Sequence, residues 1–212
     1  MREDRDIAAA VRTALLRHPH VIAVELMGSR ACGTPSPLSD WDFTVDVNDF
    51  AGVTADLPAL VGELEPLSKQ WDRLGPDDYC CYMLTLAGPV KIDLIFPGVP
   101  HAPEPPWEVA PDTLDGIDQH FWDWALWMAA KEQGGKDELV WQELRKMSEH
   151  LLKPMGVDRV PRSIHAATVE YLAARERLES SLAVQVPRRV ELEVLPVLRT
   201  ARRGWTRPED AS

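Results

Sequence analysis

A chain of 212 residues, 45% hydrophobic and 27% charged, is long enough to bury a real core, as one large domain or two modest ones. Its net charge of −11 argues against a general nucleic-acid binder, which presents a basic face, and favours a cationic substrate weakly. The three cysteines, Cys32, Cys80 and Cys81, have neither the count of a disulfide framework nor the spacing of a zinc site, and no apolar run is long enough to span a bilayer.

The N-terminal stretch MREDRDIAAAVRTALL is charged and amphipathic rather than leader-like, so the expected location is cytoplasmic. Residues 4–17 place Ile7, Val11, Leu15 and Leu16 at helical spacing, and His18-Pro19 ends that helix. Residues 21–27, VIAVELM, have the β-branched, apolar composition of a buried strand, and residues 41–47, WDFTVDV, alternate as a second strand does. Residues 50–64 predict a helix with Leu57, Leu60, Val61 and Leu64 on its apolar side, its start blurred by Pro58. YCCYMLTLA (79–87) and VKIDLIF (90–96) predict two strands joined at Gly88-Pro89.

Composition then changes. Residues 97–113 hold six of the 18 prolines and predict a linker or extended crossing segment. Beyond it the chain reads as helical. Leu114, Ile117, Phe121, Trp124, Ala125 and Met128 form one stripe, and Val140, Leu144, Met147 and Leu151 a second, closed by Pro154 and Gly156. Ser163 caps a third helix running to about Val186. The basic stretch RTARRGWTRPED reads as a solvated end or an interaction arm, with the last residues frayed. The expected fold class is α+β, with an α/β domain over 1–105 followed by a helical domain over 106–212.

The chemistry lies between the first two predicted strands, in GSRACGTPSPLSDWDFTVDV. Asp40 and Asp42 are two apart on a strand, so they share a face about 7 Å apart while Trp41 points the other way. Two carboxylates so placed repel each other when partly buried, and a divalent cation between them removes the conflict. In VKIDLIF, Ile92, Leu94 and Phe96 face one side and Lys91, Asp93 and Ile95 the other, which puts a charge in an apolar strand. If that strand neighbours the one holding Asp42, three carboxylates converge, enough for two metal ions that hold the attacking and leaving oxygens of a phosphoryl transfer. Gly28-Ser29 follows a strand. The turn SRAC, ended by Gly33, offers backbone N–H groups and the Ser29 hydroxyl to a phosphate. Taken singly, each has a plainer reading: Gly-Ser as a turn, Asp-x-Asp as a solvated turn or helix cap, Asp93 as an edge-strand charge.

Gly28-Ser29, Asp40-Trp41-Asp42 and the later Asp93, within GSRACG and SDWD, resemble the signature of the nucleotidyltransferase superfamily that includes DNA polymerase beta. FWDWALWMAAKEQGGKDEL, with Phe121, Trp122, Lys131 and Lys136, is similar to the helical domain of streptomycin-type 6-adenylyltransferases, among the aminoglycoside nucleotidyltransferases. This resemblance implies a mixed β-sheet flanked by helices and a helical substrate-binding domain. It implies a nucleoside triphosphate, ATP by preference, with its β and γ phosphates at Gly28 and Ser29 and with Arg30 and Lys131 on the nucleotide side. Asp40 and Asp42 would hold one Mg²⁺, and Asp93 would complete the site for a second. AMP would pass to a hydroxyl of a small molecule such as an aminosugar antibiotic, releasing pyrophosphate, in a drug-resistance role. No membrane or stable nucleic-acid partner is implied, and a homodimer is allowed. The alternative is an antitoxin of the same fold, or an adenylyltransferase acting on a partner protein.

For the general base, Asp93 and, from the helical half, Asp118, Asp123 and Glu132 are candidates, the last three otherwise solvated helix residues. Trp122 and Trp127 either line a pocket for a sugar ring or adenine or fill the interface between the halves. His120 reads as a satisfied helix histidine.

Overall fold

A computed structural model describes residues 4–200, with side chains from residue 7 onward. The basic C-terminal stretch anticipated as an arm or frayed end lies almost wholly outside the described residues. The chain divides into two compact units between Glu104 and Pro105. The first is α/β and the second helical, so the fold is α+β.

The first unit opens with helix α1 (Asp4–Leu15) and strand β1 (Val21–Leu26). Helix α1 stops one residue short of Leu16, which is 50% exposed rather than part of the apolar stripe. A single helical turn, α2 (Gly28–Ala31), follows, then β2 (Trp41–Val47). Helix α3 (Phe50–Leu60) starts on Asp49, whose carboxylate accepts the Gly52 N–H at 3.0 Å. Pro58 falls in its last turn, and the chain tightens into a 3₁₀ turn over Val61–Leu64, so the single helix expected over 50–64 is two elements. Strands β3 (Ser68–Trp71), β4 (Tyr79–Leu86) and β5 (Val90–Pro97) complete the unit.

The sheet order is β1-β2-β5-β4-β3. Strands β1 and β2 are antiparallel, β2 and β5 parallel, and β5, β4 and β3 successively antiparallel. Alternation decides its core face. Trp41, Phe43 and Val45 of β2 and Ile92, Leu94 and Phe96 of β5 are buried with Val11 and Leu15 of α1 and Val53 and Leu57 of α3. Full burial of a Phe or Leu side chain contributes roughly 1.5–3 kcal/mol, so this face is the main anchor of the unit. Strand β3 was not anticipated. Its four residues, SKQW, carry no apolar period and become a strand by pairing with β4.

The proline-rich segment is tied down at both ends. His101 and Glu104 donate main-chain bonds to Asp77 and Arg73 in the first unit, and Trp107 donates to His150 in the second. The second unit holds α4 (Leu114–Gln133), α5 (Asp137–Met147), one π-wound stretch (Ser148–Leu152), α6 (Ile164–Leu182) and α7 (Arg189–Thr200). Ser163 caps α6, accepting the Ala166 N–H at 3.1 Å. The helix ends at Leu182, with Ala183 left-handed at φ 54°, earlier than the sequence suggested. Helix α7, which buries Val190 and Val194 despite Pro196, was not anticipated. Among the described residues no helix is long and apolar enough to cross a membrane.

Candidate active site

The site is built where β1 ends and β2 begins. As the chain leaves β1, Met27 donates its N–H to the Asp42 carbonyl at 2.7 Å, which holds the turn against the second strand. Gly28 then adopts φ +66°, and a Cβ at this position would collide with Asp42 Oδ2. Glycine is therefore required twice over, for its backbone conformation and for the approach of a carboxylate. The turn closes through Thr34 N–H to the Ser29 carbonyl at 2.9 Å.

The loop that returns to β2 is gripped by Arg30. Its Nη2 donates to the Ser39 carbonyl at 2.8 Å, and its Nε donates to the Ser39 and Asp40 carbonyls at 3.1 and 3.2 Å. Its guanidinium lies 4.1 Å from the centre of the Trp41 ring. Arg30 directs these donors to the main chain and so sets the position from which Asp40 enters the site.

Strand pairing then brings the acids together. Asp42 and Asp93 are partners in the parallel β2–β5 register, so their side chains leave the same face. Asp40, Asp42 and Asp93 each present a carboxylate oxygen, and these lie within 4.8 Å of one another. Asp40 is 7% exposed and the other two are half-buried. Among the described residues it is the one cluster of three or more acidic, histidine or cysteine side chains arranged closely enough to hold a cation. An all-oxygen donor set suits hard cations such as Mg²⁺, Mn²⁺ or Ca²⁺.

A fourth charge completes the electrostatics. Lys91, two residues before Asp93 on β5, directs its ammonium onto Asp93 Oδ1 in an ion pair. The two side chains are 4% and 14% exposed. Sequence reasoning placed Lys91 on the face of Asp93 but gave it no role. The signal was the i, i+2 spacing itself, which on a strand brings two side chains to one side.

Other anticipated residues fall in the second unit. Lys131 Nζ sits 4.7 Å from the centre of the Trp127 ring. Glu132 is half-buried, its carboxyl pushed up first by burial and then by the charge of Asp137. Asp118 and Asp123 are 1% and 3% exposed, so neither is a solvated helix residue. Asp118 Oδ1 accepts from Tyr171 Oη at 2.5 Å, Arg175 Nη1 at 2.6 Å and Trp122 Nε1 at 3.1 Å. Arg175 reaches on to Glu191 at 2.5 Å. Burial raises the Asp118 carboxyl while these donors oppose the rise. An oxygen so engaged acts as a buried tie between helices α4 and α6, not as a base facing a substrate. Trp122 is fully buried in the same cluster, beside the stacked rings of Phe121 and Tyr171, and lines no pocket for a sugar or adenine. His120 is buried against Trp107 and Trp124.

No protein-family model matches the chain, and no curated protein does. Among solved structures it is similar to a cytoplasmic RNA terminal U-transferase, at 20% identity and a TM-score of 0.35, over 45% of this chain and only 28% of that one. It is also similar to an aminoglycoside 6-adenyltransferase from Bacillus subtilis, at 10% identity and a TM-score of 0.38, covering 95% of this chain and 99% of that one. A candidate nucleotidyltransferase from H. pylori matches at 12% identity and a TM-score of 0.25, over 84% and 94% of the two chains.

Proposed function

We propose that the chain is a nucleotidyltransferase that moves AMP from ATP to a hydroxyl of a small cationic acceptor, an aminosugar of the aminoglycoside class, with release of pyrophosphate. The observation that carries this reading is the meeting of Asp40, Asp42 and Asp93 within 4.8 Å, beside a Gly28 that admits no side chain.

The donor set fits magnesium. It is all carboxylate oxygen, and its three members sit closely enough to hold a cation. Asp40 and Asp42 would hold one ion and Asp93, with them, a second; bound there, Mg²⁺ neutralises triphosphate charge and favours displacement at phosphorus. The rest falls to the chain. The Gly28-Ser29 turn receives the β and γ phosphates, with Gly28 admitting their close approach and the Ser29 hydroxyl donating. Arg30 and the Met27–Asp42 bond keep that turn and the two acids in register. In the reaction the acceptor oxygen bonds to the α-phosphorus, the bond from that phosphorus to the pyrophosphate oxygen breaks, and the hydroxyl proton passes to the carboxylates or to water. Catalysis is then mostly alignment and charge neutralisation. The net charge of −11 supports a polycationic acceptor.

The test is incubation of the full chain with labelled ATP, Mg²⁺ and a panel of aminoglycosides and lincosamides. Labelled drug and pyrophosphate in equal amounts are expected. A panel without pyrophosphate release from any acceptor, at saturating ATP, would overturn the reading. Label appearing instead on a co-purifying protein would move the activity to a protein acceptor.

A further inference from the structure

We infer that Lys91 is a positioning residue of the carboxylate site, an internal cation that holds Asp93 in place and competes with divalent metal for its Oδ1. The inference rests on the metal-binding part of the proposed function and does not depend on which acceptor is used.

Lysine is almost never fully buried unless paired, because desolvating an ammonium is costly. Lys91 is 5% exposed and is the only buried lysine among the described residues. On the β4 side its neighbours do not call for a charge: Thr85 and Ser68, which follow in register on β4 and β3, are small hydroxyl residues, also buried. Lys91 reaches Asp93 Oδ1, along its own strand. The aliphatic stem of the lysine spans the two-residue step, and the ammonium lands on the acid that the site shares with Asp40 and Asp42.

The charge count gives this pair its consequence. Three ionised carboxylates alone carry −3; with one ammonium among them the cluster carries −2, the charge that a single divalent ion neutralises. Lys91 therefore lets Asp93 stay beside the other two acids before any metal arrives. It also takes an Asp93 oxygen that an incoming ion would use. In the protein without nucleotide, one divalent ion is favoured over two, and any ion contacting Asp93 does so against the lysine.

The test uses Mn²⁺ alone, without nucleotide or acceptor, on the full chain and on Lys91→Met and Lys91→Arg. Calorimetric titration of the unaltered chain should count one Mn²⁺. Lys91→Met should bind Mn²⁺ about tenfold more tightly or better, as expected on removing a charge at ion-pair distance from a partly wet site. Its metal-free melting temperature should fall and be restored by Mn²⁺, whereas Lys91→Arg should keep the affinity and melting temperature of the unaltered chain. Equal Mn²⁺ affinity in the Lys91→Met and unaltered chains, or no Mn²⁺ binding by either, overturns the inference. A second measurement needs no folded Lys91→Met: in ¹⁵N-lysine-labelled unaltered chain, the resonance missing from the Lys91→Arg spectrum should shift on Mg²⁺ saturation. A resonance that stays fixed is equally damaging. Metal binding of the expected kind without nucleotide transfer would remove the proposed function and leave this inference standing. Transfer with an unchanged Mn²⁺ affinity in Lys91→Met would do the reverse.

Discussion

Gly28 and Asp42 are packed so closely that no Cβ fits between them, and the glycine backbone is left-handed at φ +66°. An alanine here meets two penalties at once: the left-handed conformation costs a non-glycine residue about 1–2 kcal/mol, and its methyl pushes the Asp42 carboxylate out of the cluster. Gly28→Ala is therefore expected to lower stability by about that amount and nucleotide transfer by far more, on the order of 10²-fold, as a misplaced ligand does. Urea denaturation beside a transfer assay measures both. A variant with the stability loss and full activity would show that Asp42 need not stay where it is.

Asp42→Asn and Asp93→Asn should separate. Each removes a carboxylate from the cluster and should reduce transfer on the order of 10³-fold or more. Asp42→Asn relieves repulsion, so its melting temperature should hold or rise. Asp93→Asn leaves the buried Lys91 without that carboxylate, at a cost of roughly 1–3 kcal/mol. Thermal melts of the metal-free variants decide it; equal melting temperatures would mean the Lys91 pair adds no stability.

Asp118→Ala should damage the fold and spare the chemistry. It takes from Arg175, itself 4% exposed, the carboxylate it meets at 2.6 Å, leaving Glu191 on the other side of the guanidinium. Breaking a buried pair in this way costs about 3–5 kcal/mol. At a temperature where the variant is folded, transfer per folded molecule should match the unaltered chain. A selective fall in kcat with the fold intact would restore Asp118 as a base.

Tyr171 gives the second unit an alkaline limit. Burial, and then the Asp118 charge, hold its phenol well above its ordinary value of 10.0. Above that value the unfolded chain loses the proton while the folded protein keeps it, so the folded state binds more protons and stability falls as pH rises. The contribution is fully present below about pH 10 and shrinks above it. Burial also raises Tyr79 and Tyr82, so Tyr171→Phe should flatten the alkaline slope without abolishing it. Urea midpoints taken between about pH 9 and about pH 11 provide the comparison. A slope identical in the Tyr171→Phe variant would show that the phenol titrates alike in both states.

Local pattern alone determined a good part of this molecule. The period-two alternation of WDFTVDV and VKIDLIF selects a core face and an acid-bearing face, because side-chain direction on a strand is a property of the backbone and needs no partner. The Asp40-x-Asp42 spacing, the Gly28 turn and the Ser163 cap are legible for the same reason, being settled within a few residues. Only the tertiary structure decided the rest. The parallel pairing that sets Asp42 against Asp93 joins residues 51 apart in sequence, in a register no local rule dictates. Strand β3 exists through its neighbour β4, and helix α7 carries a proline that its own sequence would count against it. Arg30, expected on the nucleotide side, clasps the loop leading to Asp40, and Asp118, read locally as a base or a solvated helix residue, is sealed among Tyr171, Arg175 and Trp122. A polar side chain finds its partner by proximity in space, and proximity across tens of residues is what folding creates.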